Sequence, residues 1–259
     1  MMPRFWSFLL LCMLLVGCEA QATPIANIAT PTATSAPSPI PVDVVRFGIA
    51  SNIAPYVGDL PIDFEIVDGN SALSDYDLVV SYGALDGWQQ SPQVHRVSLA
   101  INPNLSPLND LTIRDLIPFV VDSQAIVSNL NINGAQQTTA QATVLSSAEI
   151  RTTLANSSYP DGFQMIMAIE QVPAIDTLIV QFSALSLDVR LVPLRDGIIA
   201  ENQAHLALFL WATENERDAW VTLVGEENIV DLWTMPISYI TSGDLAIEFS
   251  DIGIPFPSN

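Results

Sequence analysis

Residues 94–117 have the sequence VHRVSLAINPNLSPLNDLTIRDLI, which contains three successive backbone signals. The mostly apolar run Val94–Ile101 predicts a buried strand, and the Asn, Pro and Ser residues of Asn102–Asp110 predict a loop. Thr112 is followed three residues later by Asp115, so we expect Thr112 to cap a short helix. A strand followed by a loop and a helix is the repeating unit of an α/β fold.

The rest of the chain from residue 43 onward repeats this alternation. Further strands are predicted at five apolar runs, which are Val44–Ile49, Ile62–Val67, Asp77–Ser81, Leu187–Leu194 and Leu206–Trp211. Strands that alternate with helices predict an α/β domain.

Three more helices are predicted from capping motifs and apolar spacing. Ser146-x-x-Glu149 and Thr213-x-x-Glu216 both have the spacing of a capping box. Gly162–Glu170 carries apolar residues at helical spacing and is therefore also predicted to be a helix. In the helix after Thr213 we expect one buried stripe, formed by Ala219, Trp220, Leu223 and Val224.

The N-terminus has the layout of a bacterial lipoprotein signal peptide. Arg4 precedes the apolar run Phe5–Val16, which is shorter than the roughly 20 residues that a permanent membrane helix needs. Leu15-Val16-Gly17-Cys18 matches the lipobox, in which the cysteine is diacylated and the peptide is cut just before it. We predict a signal peptide over 1–17, a lipid on Cys18 and a position on the outer face of the cytoplasmic membrane. The alternatives are an ordinary secretory signal with a chance cysteine and a permanent anchor helix.

Residues 18–42 begin with the lipidated cysteine and continue as a tract rich in Pro, Ala, Thr and Ser. This tract has neither the period of a helix nor that of a strand, so it is predicted to be a linker. The linker would hold a domain of residues 43–259 away from the membrane surface.

Composition excludes several functions. The chain has 8 Lys and Arg against 28 Asp and Glu, a formal net charge of −20, which disfavours binding to nucleic acid or anionic headgroups. Lysine is absent, which excludes a P-loop lysine and a Schiff base. Because the two cysteines are Cys12 and Cys18, residues 43–259 hold no disulfide, thiolate nucleophile or zinc–thiolate cluster.

Two segments resemble the phosphate-type extracellular solute-binding proteins of ABC transporters. In the first segment, Val94–Ile117, the initial strand looks like the first hinge strand of that family. It is followed by Asn102-Pro103, Pro107-Leu108 and Leu111-Thr112. In the second segment, Leu187–Trp211, Pro193-Leu194 and Asp196-Gly197 precede a strand that looks like the return hinge of that family.

The resemblance implies a two-lobed periplasmic-binding-protein-like α/β fold with hinge strands and a ligand cleft between the lobes. Lobe one would comprise about 43–98 and 203–259, and lobe two about 103–192. About a dozen residues separate the first two predicted strands, and Pro55 and Gly58 interrupt them, so we expect the first lobe to be shortened.

Candidate ligand contacts come from the loops at strand ends. Ser51, Asn52, Ser81, Tyr82 and Ser123 supply hydrogen-bonding groups there. The alternative for each Ser and Asn is a cap or turn residue that bonds its own backbone. The Arg-Ser-Gly-Thr type anion motif of many phosphate binders is not visible in this sequence, which argues against phosphate itself.

An enzyme is the main competing class. Neither His95 nor His205 has a His or Cys at metal-ligand spacing, and the sequence has no Gly-x-Ser-x-Gly elbow. Four of the tryptophans are candidates for a sugar site, but Trp211 and Trp220 are more simply explained by core packing. We therefore expect no catalysis, no cofactor and no metal.

The function predicted from the sequence is that of a lipid-anchored solute-binding protein. It would capture a small ligand, with an oxyanion as one candidate, for an ABC permease or another membrane protein. The alternative is a binding-protein-like surface lipoprotein whose degenerate cleft serves a sensory or structural interaction.

Overall fold

The computed structural model describes residues 45–68, 75–138 and 145–258, so the predicted signal peptide, Cys18 and the linker lie outside the described residues. The strands are β1 Phe47–Ala50, β2 Glu65–Val67, β3 Leu78–Tyr82, β4 Gln89–Ile101, β5 Gln136–Gln137, β6 Phe163–Ile169, β7 Leu187–Pro193, β8 Leu206–Trp211, β9 Ile229–Thr241, β10 Ile247–Phe249 and β11 Pro255–Pro257. The helices are α1 Leu111–Arg114, α2 Ile117–Val120, α3 Ser123–Leu130, α4 Ser147–Ala155, α5 Ile175–Ser183 and α6 Glu214–Val224.

One mixed sheet organises the domain. Its strand order is β2-β1-β3-β9-β4-β8-β6-β7, β5 pairs with β9, and β10 and β11 form a separate antiparallel pair. Strand β1 is parallel to both β2 and β3, and β6 is parallel to both β7 and β8. The predicted α/β class is confirmed.

The two long strands β4 and β9 connect the two groups of parallel strands. Their antiparallel pairing extends from Gln89 opposite Tyr239 to Ala100 opposite Ile229. Strand β3 pairs with one end of β9, and β8 pairs with the opposite end of this ladder through Arg96–Ile101 of β4. This arrangement agrees with hinge strands between two groups of strands, whereas the lobe boundaries given above stay predictions.

Apolar side chains fill both faces of the sheet. Strands β1 and β3 are buried along their whole length, which explains their continuous apolar sequence. In β8, Leu208 belongs to the larger hydrophobic cluster and its neighbour Phe209 to the smaller one, because successive side chains point to opposite faces. Both clusters lie within the compact unit Asp43–Asn259.

Two predicted capping boxes are confirmed. Ser146 caps α4, with its backbone N–H donating to the Glu149 carboxylate over 2.8 Å, and Thr213 caps α6 with Glu216 in the reciprocal role. The predicted cap of α1 is wrong. The cap is Asp110 and not Thr112, and the Asp110 side chain accepts a hydrogen bond from the Thr112 N–H. Within the described residues, no helix is both long enough and apolar enough to cross a bilayer.

The segment predicted as a helix over Gly162–Glu170 is instead strand β6. Its neighbours β7 and β8 pair with it on both sides, so the strand is internal to the sheet. Internal parallel strands carry apolar residues on both faces, and a short apolar run of this kind also satisfies helical spacing. The prediction was wrong because periodicity does not distinguish the two structures here.

The predicted buried stripe of α6 is also largely wrong. Val224 is buried, but Ala219 and Leu223 are exposed, and Trp220 is half-buried with its ring stacked on Phe209 at a centroid distance of 4.4 Å. The helix therefore covers the sheet mainly through Trp220 and its C-terminal residue.

Candidate functional site

The turn after β1 is the first element of the candidate site. It continues from Ser51 into a short 3-10 turn, Ala54–Tyr56, in which Pro55 occupies an initial position. The N–H of Ser51 donates to the carbonyl of Val67 over 2.8 Å and fixes the start of the turn to the end of β2. The turn is a one-turn 3-10 segment, so no α-helix begins directly after β1.

Three of the predicted contact residues come together behind this turn. Asn52 Oδ1 accepts hydrogen bonds from Ser81 Oγ at 3.1 Å and from the Tyr82 N–H at 3.4 Å. Asn52 Nδ2 donates to the Tyr82 carbonyl at 3.3 Å. The polar groups of Asn52 and Ser81 therefore bond each other and the backbone of Tyr82, and the bonds of Asn52 reach another strand end and not a local turn.

A polar pocket of about 560 Å³ lies beside this cluster. Its polar lining comes from Asn52, Asp68, Ser81, Asn131 and Asn133. The lining includes a carboxylate and no Arg or His, so the pocket offers an anion no cationic side chain.

Tyr82 points into the core rather than into a cleft. Its side chain is buried, its hydroxyl is hydrogen-bonded to Nδ1 of His95, and its ring lies 5.8 Å from that of Tyr56. Burial raises the pKa of Tyr82 well above its ordinary value. The phenol is therefore a neutral donor inside the domain.

Ser51 and Ser123 are separate from this cluster. Ser51 is exposed and adjoins Asn52. Ser123 is buried in the first turn of α3, where Asp122 is the cap, whereas Asn131 and Asn133 of the polar pocket follow the opposite end of that helix. The five predicted residues thus do not form one site.

A second, apolar cleft of about 530 Å³ lies between the turn after β1 and the ends of β6 and β7. Pro55 and Tyr56 form one wall. The other wall consists of Ile169, Val172, Ile175, Leu191, Val192 and Pro193. Sequence reasoning missed this cleft because it assigned Gly162–Glu170 to a helix and gave no structure to α5.

Glu170 and Gln171 supply the polar side chains at the edge of the apolar cleft, together with the Tyr56 hydroxyl. Burial raises the pKa of Glu170; a hydrogen bond from the Leu210 N–H opposes this rise, and the charge of Glu216 adds to it. Burial also raises the pKa of Tyr56. Apolar walls with a few polar groups whose pKa values are shifted are typical of ligand sites.

Both histidines have structural hydrogen bonds. His95 is buried, and its Nε2–H donates to the Ile252 carbonyl over 2.8 Å. His205 Nδ1 accepts from the Ile166 N–H at 3.1 Å, and its Nε2 is 3.1 Å from the Ser106 carbonyl. Among the described residues, no group of three or more His, Cys, Asp or Glu side chains is placed to hold a metal ion.

Solved structures with a similar fold include proteins described as periplasmic oligopeptide-binding and murein-tripeptide-binding proteins. OppA from Haemophilus influenzae in complex with the peptide RPPGFSPFR has 10% sequence identity and a TM-score of 0.49, over 70% of this chain and 53% of that chain. A dipeptide-binding protein from a Pseudoalteromonas species in complex with Met-Leu has 11% identity and a TM-score of 0.46, over 74% of this chain and 56% of that chain. NikZ from Campylobacter jejuni in complex with Ni(L-His) has 13% identity and a TM-score of 0.47, over 66% and 53%.

The chain spans about half the length of these structures. No protein-family model matches the sequence, and no curated protein matches it. The predicted phosphate-type subtype stays a prediction.

Proposed function

We propose that this chain is a lipid-anchored extracytoplasmic binding protein that captures a small ligand in the apolar cleft and presents it to an ABC permease or another membrane protein. One observation carries the proposal: an open cleft of about 530 Å³ lies at the carboxyl ends of the parallel strands β6 and β7 and faces the turn after β1. Ligands of open α/β sheets bind at the carboxyl ends of the strands.

Strands β4 and β9, which connect the two groups of parallel strands, support a mechanism in which the cleft closes on the ligand. The turn that carries Tyr56 belongs to the group of strands at one end of the β4–β9 ladder, and Val172 and Ile175 belong to the group at the other end. Bending of the ladder would change the width of the cleft without unfolding either group. Binding with closure needs no catalytic residue.

The proposal of a lipid anchor is based on the lipobox at Leu15–Cys18 and on the linker that follows it. This anchor would place the cleft outside the membrane, within reach of a membrane-bound partner. Structural bonds of His95 and His205 favour a binding role over acid–base catalysis.

A degenerate binding protein is the second candidate. The mutual hydrogen bonds of Asn52, Ser81 and Tyr82 favour it, because these groups are the ones that the predicted ligand site would use. In this case the domain would serve as a sensory or structural partner at the cell surface.

An oxyanion is a poorer candidate ligand than a neutral or cationic molecule. Neither the polar pocket nor the apolar cleft has an Arg or His in its lining, and each contains a carboxylate, Asp68 in one and Glu170 in the other. Both carboxylates belong to solvent-accessible residues, and a negative charge in the lining of a site repels an anion.

A thermal-shift screen of residues 43–259 tests the proposal. The panel should contain oxyanions, amino acids, amines, sugars and short peptides. A ligand at 100 times its dissociation constant stabilises the folded state by about 2.7 kcal/mol, which raises the melting temperature by about 5 to 10 °C for a domain of this size. A shift from one chemical class supports ligand capture; no shift across the panel favours the degenerate-cleft candidate.

A further inference from the structure

The charge of the apolar cleft is set by one side chain. Of its lining residues, Glu170 is the only one with an ionisable acidic or basic side chain other than the Tyr56 phenol. The phenol is neutral near pH 7, since burial raises its pKa further. The cleft therefore combines apolar walls with a single negative charge.

Glu170 is held in place by the backbone of β8. Its N–H donates to the Leu208 carbonyl over 3.2 Å, and its Oε2 accepts from the Leu210 N–H over 3.2 Å. Among the described residues Glu170 forms no ion pair with an Arg or His. Its carboxylate is solvent-accessible and accepts one hydrogen bond from a neutral donor, so its negative charge is available to a ligand in the cleft.

The charged side chains near Glu170 do not pair with its carboxylate. Glu216 is close enough to add its negative charge to the environment of Glu170. Arg195 and Glu170 both line a neighbouring groove, but the Arg195 guanidinium bonds Glu201 over 2.9 Å and also bonds Gln203. An ammonium group of a ligand would supply a positive charge that none of these contacts gives Glu170.

The apolar lining of the cleft is suited to a hydrocarbon or aromatic group. Tyr56, which is half-buried, lines the cleft together with Val172, which is buried, and with Ile175 in the first turn of α5. A ring or alkyl chain placed here would remove apolar surface from water on both partners.

We propose that the cleft selects small apolar amines, with the ammonium group of the ligand paired with Glu170 and its apolar part between Tyr56 and Ile175. This inference rests on the proposed function, because it names the ligand class of the same cleft. Selection follows from charge: an ammonium gains a charge-assisted hydrogen bond, whereas a carboxylate in the same position is repelled.

The test uses three probes that share a phenethyl group and differ in charge: phenethylamine, 2-phenylethanol and 3-phenylpropionate. Their binding to residues 43–259 is measured by ligand-observed NMR titration at pH 7. We expect the amine to bind about tenfold more tightly than the alcohol, and the carboxylate to bind most weakly.

Two variants separate charge selection from apolar binding. Glu170→Gln should remove the preference for the amine and leave the alcohol unchanged, whereas Tyr56→Ala should weaken all three probes. Glu248→Gln removes the same charge from an exposed residue of β10 outside the cleft lining and should retain the wild-type preference.

The outcomes distinguish the two proposals. If the carboxylate binds as tightly as the amine, or if Glu170→Gln retains the preference, the inference about amines is wrong while ligand capture stands. If none of the three probes binds to the wild type, both the amine inference and the assignment of the apolar cleft as a binding site are contradicted.

Discussion

The hydroxyl of Tyr82 and Nδ1 of His95 form a hydrogen bond inside the core, between strands β3 and β4. The other ring nitrogen of His95 donates to the Ile252 carbonyl, so the neutral imidazole accepts from the phenol. This chain of two hydrogen bonds connects the end of β3, next to the candidate site, with the C-terminal segment. Because both side chains are buried, removing either one would leave the other with an unsatisfied polar group.

Tyr82→Phe should destabilise the domain by about 1 to 3 kcal/mol, because it leaves a buried ring nitrogen of His95 without a partner. Urea unfolding at pH 7 measures the change. Tyr159→Phe is the matched control, since that hydroxyl bonds Ser106 at the surface, and it should change stability by less than about 0.5 kcal/mol. Equal effects of the two variants would refute the role given to the buried pair.

Stability should fall as the solution is acidified from pH 7 to pH 5. Burial lowers the pKa of His95 from 6.5 to about 4 in the folded domain. Between these values the unfolded chain binds a proton that the folded domain does not, so the contribution of His95 is present above pH 6.5 and decreases as the pH falls towards 4. The expected loss between pH 7 and pH 5 is about 2 kcal/mol.

His95→Gln checks this assignment. The variant should be less stable at pH 7 and should lose most of the dependence of the unfolding free energy on pH between 7 and 5. His205 is the comparison, because burial also lowers its pKa but the residue is only half-buried, and His205→Gln should keep most of the wild-type slope. A full slope in His95→Gln would show that other groups cause it.

Gly162→Ala should be far more destabilising than Gly58→Ala. Both glycines have positive φ, +84° and +62°, so both substitutions carry a left-handed penalty of about 1 to 2 kcal/mol. An added Cβ at Gly162 would lie 1.9 Å from the Ser186 carbonyl oxygen, whereas nothing lies within 4 Å at Gly58. We expect an additional loss of at least about 2 kcal/mol at Gly162, measured by urea unfolding; similar losses would contradict the close approach of Gly162 to Ser186.

Cys18→Ala should abolish lipidation. Bacteria that express the wild type with labelled palmitate should produce a labelled chain, and the Cys18→Ala variant should be unlabelled and should retain its signal peptide. Cys12→Ala is the control with one cysteine removed from the apolar run, and it should be labelled like the wild type. Labelling of the Cys18→Ala chain would rule out the lipobox assignment.

Part of the fold could be predicted from sequence because local chemistry determined it. Ser146 and Thr213 cap helices as expected, and Leu206–Trp211 is a strand with the predicted bounds. Strand β6 could not be predicted by the same means, since seven mostly apolar residues satisfy helical spacing as well as they satisfy an internal strand. Its pairing with β7 and β8, which lie far away in sequence, determines its structure.

The candidate site was harder to predict than the fold. The sequence predicts Asn52, Ser81 and Tyr82 as ligand contacts from loops at strand ends, but it does not reveal that their polar groups bond each other. The apolar cleft brings Tyr56 together with Val172 and Ile175, more than a hundred residues later, and these side chains look like ordinary core residues in the sequence. Only the relative position of the turn and the ends of β6 and β7 makes them a cleft.

The central claim is tested most directly with the ligand that the thermal-shift screen finds. This ligand is titrated into the wild type and into two tryptophan variants of α5. Ile175 lines the apolar cleft, whereas Val180 on the same helix is 66% exposed and outside its lining. If the cleft is the binding site, Ile175→Trp should fill it and raise the dissociation constant by at least about tenfold, or about 1.4 kcal/mol, while Val180→Trp should bind like the wild type. Equal dissociation constants for the wild type and both variants would contradict ligand binding in this cleft.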